Sequence, residues 1–180
     1  GPRWDRGGHL LAFGVRDRAL VYQSVYRYTG VLTTLAASAQ VLACDGGTMG
    51  KTAPDQVQNA VLIGAGMVAG THAAALRDAA RVKLYGVWSR DAAKGQALAS
   101  PQGARIFARL QDIADDPQVD FAILLTPPNA RADLIAPLLA AQKPILMEKP
   151  IARDLSEARA VVDQCAAAGV ALGVVFQHRM

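Results

Sequence analysis

Four short clusters of residues carry the chemistry this chain can offer. The first is Gly64-Ala65-Gly66-Met67-Val68-Ala69, a G-x-G-x-x-A pattern directly after the apolar run Val61-Leu62-Ile63. Gly64 permits a tight turn, Gly66 leaves room for a pyrophosphate against the backbone, and Ala69 is small enough for the next helix to pack close to the strand. The N–H groups of Gly66, Met67 and Val68 at a helix start, with the positive end of the helix dipole, favour phosphate. A glycine-rich turn serving another ligand, such as a methyl donor, has the same letters. The strand before it and the helix after it favour a dinucleotide.

The second cluster, Ser89-Arg90-Asp91, ends the next apolar run. An acidic residue at this strand tip takes the ribose hydroxyls of NAD, whereas an arginine nearby accepts the 2′-phosphate of NADP. Ser89 and Arg90 therefore favour NADP, and Asp91 suits the N-cap of the following helix better than a ribose ligand. The alternative is that Arg90 is solvated or lies over the adenine, with NAD bound. The third and fourth clusters, Thr126-Pro127-Pro128-Asn129 and Glu148-Lys149-Pro150, each close a further apolar run. Loops at the carboxyl ends of parallel strands are where such sheets hold ligands. Of the remaining reactive side chains, His72 is expected to be a packed or capping helix residue and Cys165 a core residue, while His178 has no assigned role. Cys44 and Cys165 form neither a disulfide framework nor a ligand spacing for a metal, so a reducing compartment and no structural metal are expected.

These clusters need elements to hold them. Apolar runs bounded by turn residues predict strands at 60–63, 82–88, 119–125, 144–147 and 170–176, with a weaker one at 104–107. Several are apolar at consecutive positions, as strands buried on both faces of a parallel sheet must be. Helical spacing predicts helices over 67–79, 91–99, 109–115, 129–142 and 154–168, the last stopped by Gly169. Strand and helix alternate, which predicts an α/β fold: a doubly wound, mostly parallel sheet with right-handed crossovers.

Composition sets the outer limits. The chain has 180 residues, 52% hydrophobic and 19% charged, with net charge +4. It is too apolar for a disordered chain. The basic residues are dispersed and the aromatics are only 6%, which argues against nucleic-acid binding. The uncharged stretches 28–44 and 56–76 are broken by polar residues and glycines, so neither supplies the ~20 mostly apolar residues of a membrane span. Residues 58–180 read as one nucleotide-binding domain. Residues 1–57 read as an extension of uncertain status, with three accounts open: upstream read-through or an irregular extension before Met49, a real ordered segment, or an export signal ending near Ala37-Ser38-Ala39. A cytoplasmic location is expected, with export as the alternative.

Over about 59–180 the sequence resembles the Gfo/Idh/MocA family of oxidoreductases. The resemblance rests on the glycine loop with His72 downstream, the run from Asp120 to Pro127, Lys143-Pro144, Glu148-Lys149-Pro150, Ala158-Arg159 and Gln177-His178-Arg179. It implies a Rossmann fold and hydride transfer between a nicotinamide dinucleotide, NADP or NAD, and a sugar, polyol or cyclitol hydroxyl. It further implies that Lys149 lies beside the nicotinamide as the catalytic residue that binds or polarises the substrate hydroxyl. Glu148, counted with the cofactor-binding residues, supports that loop, Pro150 follows a cis peptide, and Thr126 and Pro127 border the nicotinamide ribose, with Asn129 also among the cofactor-binding residues. Members often have His where Arg131 stands, which puts any hydrogen bond expected from that His in doubt. Members also have a second α/β domain that carries an acid–base pair and substrate contacts. This chain is therefore expected to be the cofactor-binding part of a longer enzyme, a homo-oligomer through that second domain, and inactive alone. The rival reading is a non-catalytic dinucleotide-binding or regulatory module.

Overall fold

The computed structural model describes residues 57–175 and the backbone of two short antiparallel strands, Arg3–Trp4 and Leu10–Leu11. The expectations for the rest of residues 1–56, and for Gln177, His178 and Arg179, lie outside the described residues.

Strand and helix alternate along the described chain. They run β1 (Gln58–Ile63), α1 (Ala69–Arg77), β2 (Val82–Trp88), α2 (Ala92–Ala99), β3 (Arg105–Ile106) and α3 (Leu110–Asp115), then β4 (Phe121–Leu124), α4 (Ala132–Ala140), β5 (Ile145–Glu148), α5 (Leu155–Ala168) and β6 (Leu172–Val175). The six strands form one parallel sheet in the order β3-β2-β1-β4-β5-β6. This is the doubly wound Rossmann order, which reverses direction between β1 and β4.

The apolar runs are strands because both of their faces are covered. Alternate residues of β1 point to opposite sides of the sheet. Ala60 and Leu62 join Ala69, Ala73, Leu76 and Ala99 of α1 and α2, whereas Val61 and Ile63 join residues of α3, α4 and α5, among them Ile113, Ile135, Leu138 and Val161. Each fully buried Leu, Ile or Val of these layers contributes roughly 1.5–3 kcal/mol. No helix among the described residues is long and apolar enough to cross a membrane.

The differences from expectation have local causes. β1 begins at Gln58 because the backbone N–H groups there are paired: Gln58 N donates to the Arg81 carbonyl at 2.9 Å and Asn59 N to Asp120 Oδ2 at 2.7 Å. β3 shrinks to two residues at the sheet edge. The helix expected over 129–142 starts only at Ala132, after a separate 3₁₀ turn at Pro128–Ala130, because Pro127 is extended (φ −56°, ψ 149°). The helix expected from 67 starts at Ala69, since the glycine loop is still turning at Met67.

Candidate functional site

The carboxyl ends of β1, β2, β4 and β5 bring the four sequence clusters to one rim of the sheet. The glycine loop leaves β1 at the point where the strand order reverses. Gly64 has φ +110°, a region that side-chain-bearing residues rarely occupy, and its N–H donates to the Trp88 carbonyl at 2.8 Å. A Cβ on Gly64 would lie 3.2 Å from Thr126 Cγ2 and 3.3 Å from the Leu125 carbonyl carbon, so the loop is pressed against the end of β4. Gly66 differs: a Cβ there would meet nothing nearer than the Leu125 carbonyl at 4.0 Å. The protein's own packing therefore does not require glycine at this position, which is open on its Cβ side. Met67 is 99% exposed beside it, and Val68 at the N-cap of α1 supplies no side-chain cap. The N–H groups of Gly66, Met67 and Val68 precede the first intrahelical bonds, where a helix start holds an anion.

At the tip of β2, Asp91 is committed as a cap. Its Oδ1 accepts from Lys94 N at 3.1 Å and its Oδ2 pairs with Lys94 Nζ at 3.1 Å. The Lys94 backbone bond and then the Lys94 ammonium hold its carboxyl below the usual range. Ser89 Oγ accepts from Asp91 N at 3.2 Å. Arg90 is exposed, and its side chain makes no hydrogen bond or ion pair with another described residue. The tip thus presents a cation and no uncommitted carboxylate.

Thr126, at the end of β4, is buried, and its Oγ1 has no hydrogen-bond partner among the described residues. A buried hydroxyl without a partner is costly, and this one lies beside Gly64, at the reversal point. Pro127 and Asn129 are exposed on the loop that follows. An open glycine loop, an uncapped helix start and an orphaned hydroxyl together fit the pyrophosphate and ribose of a dinucleotide.

The end of β5 is built from buried polar groups. Glu148 is 4% exposed and its Oε1 lies 3.0 Å from Nε2 of the buried His72 on α1. Glu148 Oε2 accepts from Lys149 N at 3.1 Å. Glu148 thus supports the loop and ties it to the helix that follows the glycine loop; His72 is the packed helix residue expected. Lys149 is exposed, and the Lys149–Pro150 peptide is cis.

Arg131 is the residue that sequence reasoning undervalued. It is 2% exposed and donates from Nε to the Thr126 carbonyl at 2.9 Å, and from Nη1 to the carbonyls of Glu148 and Pro150 and, at 3.4 Å, of Ile151. Where members often have a His, this guanidinium makes its own set of bonds, all to backbone carbonyls. One signal in the sequence pointed to it: a cation at a helix N-terminus opposes the dipole unless other acceptors take it. Cys165 sits in the core, and burial pushes its thiol up to about 11.

Residues 58–176 match the family described as "Oxidoreductase family, NAD-binding Rossmann fold" (GFO_IDH_MocA). Among curated proteins, the chain is 30% identical over 118 residues to an inositol 2-dehydrogenase of Rhizobium meliloti (strain 1021), a match covering 66% of this chain and 36% of that one. It is 36% identical over 73 residues to an inositol 2-dehydrogenase of Leifsonia xyli subsp. xyli, covering 41% of this chain and 22% of that one. Among solved structures, the WlbA dehydrogenase from Chromobacterium violaceum, in complex with NADH and UDP-GlcNAcA, superposes with a TM-score of 0.65 at 28% identity, covering 72% of this chain and 38% of that one. The chain spans between about a fifth and about a third of the length of the curated relatives it matches.

Proposed function

The chain belongs to the Gfo/Idh/MocA oxidoreductase family, with its NAD-binding Rossmann fold, and from that premise we propose that it is the nucleotide-binding part of an enzyme moving a hydride between a nicotinamide dinucleotide and a sugar, polyol or cyclitol hydroxyl. The observation that carries this reading is the pairing, in one glycine loop at the reversal point of the sheet, of open space over Gly66 with the orphaned Thr126 hydroxyl of the residue packed against Gly64. When bound, the nicotinamide supplies the hydride chemistry. The chain supplies orientation and electrostatics. Gly64, Gly66, Met67 and Val68 hold the pyrophosphate, Thr126 donates to the nicotinamide side, and Pro127 and Asn129 border the ribose.

Arg90 favours NADP(H). Its guanidinium is exposed and uncommitted at the tip of β2, a strand end where an arginine can accept a 2′-phosphate, while the next residue, Asp91, is occupied by Lys94. Lys149 is the group that meets substrate: its backbone N–H is fixed by Glu148, and its exposed ammonium stabilises negative charge developing on the reacting oxygen. A complete acid–base apparatus and the substrate wall belong to a second domain. The sugar-related names of the inositol dehydrogenases and of the UDP-GlcNAcA complex support the substrate class.

The test is titration of the purified chain with NADPH and NADH by fluorescence, followed by assays on a panel of sugars and inositols. Binding without turnover is the expected result. Absence of binding would remove the glycine-loop assignment, and brisk turnover by this chain alone would show that the catalytic groups lie elsewhere.

A further inference from the structure

Three buried charged or titratable side chains, His72, Glu148 and Arg131, meet behind the Lys149 turn, and two of them are accounted for by pairing with each other. Arg131 is not. It stands at the N-terminus of α4, where the helix dipole opposes a cation, and it is almost wholly removed from water, which is costly for a charge without partners. What offsets that cost is a set of four backbone carbonyls. One, of Thr126, belongs to the loop after β4. The other three, of Glu148, Pro150 and Ile151, flank Lys149 on both sides.

We propose that Arg131 is a positioning residue that clamps the Lys149 turn to the Thr126 loop, so that the nicotinamide half of a dinucleotide meets a preformed wall. A planar guanidinium with five N–H groups in a fixed fork can reach two chain segments at once in a defined geometry, which an ammonium cannot. Because the acceptors lie just before and just after Lys149, the turn cannot shift without breaking bonds to a charged donor. The adenine half lies over Gly66 and the tip of β2, and no bond from Arg131 reaches either. The clamp therefore acts on one end of the site only. Burial lowers the affinity of Arg131 for its proton and the Glu148 carboxylate opposes this. Beyond the site, Arg131 borders a hollow of about 150 Å³ between α4 and α5, shared with Pro128, Asn129, Ile151, Glu157 and Gln164. This gives a small cation a route to the position if the side chain is removed.

The inference rests on the dinucleotide reading, so its test has one arm without a dinucleotide. In the ligand-free full chain, Arg131→Ala should speed amide exchange across residues 145–153 by roughly tenfold or more, the scale of lost bonds to a charged donor, while β1 and β2 keep their protection. Millimolar guanidinium should restore the slow exchange. In the second arm, Arg131→Ala should weaken NADPH and leave 2′,5′-ADP, which lacks the nicotinamide half, bound as in the unaltered chain. A purely structural role would weaken both ligands alike. Arg131→Lys keeps the charge without the fork and should loosen the same segment, which covers the case where the alanine variant does not fold. Unchanged exchange at 145–153 in either variant, or equal loss of both ligands without rescue, overturns the clamp. If the unaltered chain binds neither ligand, the dinucleotide reading falls, and the exchange arm still decides the clamp.

Discussion

Arg90 and Gly66 mark the two ends of what single residues decide in this site. Arg90 is uncommitted at the tip of β2, so on the proposed NADP(H) reading Arg90→Ala removes a charge-assisted bond that only a 2′-phosphate can make. Titration should show NADPH weakened by roughly tenfold to a hundredfold and NADH little changed; equal loss for both would refute the assignment. Gly66→Ala separates ligand binding from folding. The added methyl meets no protein atom closer than 4.0 Å and Gly66 is not at positive φ, so thermal stability should hold or rise by about 0.4–1 kcal/mol. The methyl does enter the phosphate's space, and dinucleotide affinity should fall by about tenfold or more, ~1.4 kcal/mol. Cys165 is a core atom rather than a reagent. With its thiol raised to about 11 by burial, almost no thiolate exists near about pH 8. Mass-spectrometric mapping after iodoacetamide should find Cys165 modified only in denaturant. The linked effect on stability has a definite sign. Between the ordinary value of 9.0 and about 11 the unfolded chain releases a proton that the folded chain keeps, so this group lowers stability as pH rises through that window.

At the scale of elements, the caps decide where helices begin and so how the rim loops are aimed. Asp154 accepts from Glu157 N at 2.9 Å and starts α5 directly after the Lys149 turn, and Gly169 ends it at φ 69°. Asp154→Ala should cost about 1 kcal/mol in urea denaturation, with the loss seen first as weaker exchange protection in the first turn of α5. A loss spread evenly over the sheet would mean that Asp154 does more than cap. Asp91 caps α2 in the same way. The contrast between α4 and α5 is instructive. α5 has an Asp cap and starts where its side-chain spacing says it should. α4 has an arginine at its N-cap and starts three residues late, because two prolines hold the preceding chain in a separate turn.

For the whole molecule, the ligand and the fold are linked through the sheet's rim. Four strand ends converge there, so a dinucleotide binds the folded chain and not the unfolded one. NADPH at about 100 times its dissociation constant should stabilise the chain by ~2.7 kcal/mol, read as a rise in melting temperature that tracks ligand concentration. Lys149→Ala should keep most of that rise, since Lys149 is assigned to the substrate rather than to the phosphates. Loss of the rise in that variant would reassign Lys149 to cofactor binding.

The sequence by itself determined the strand–helix alternation, the glycine loop and the caps at Asp91 and Gly169. The physical reason is that each is a local requirement. A strand covered on both faces must be apolar at successive positions, a φ of +110° at Gly64 asks for glycine, and a helix start asks for a side-chain oxygen at the N-cap to accept from the N–H two or three residues on. Tertiary structure alone decided which polar groups share a site. His72 and Glu148 are 76 residues apart and Arg131 reaches carbonyls up to 20 residues away. Such contacts depend on which strand ends the crossovers bring side by side, and hydrophobic periodicity carries no trace of that. Arg131 looked like a departure from a pattern in the sequence, and only burial against four carbonyls makes it the link between the loops that follow β4 and β5.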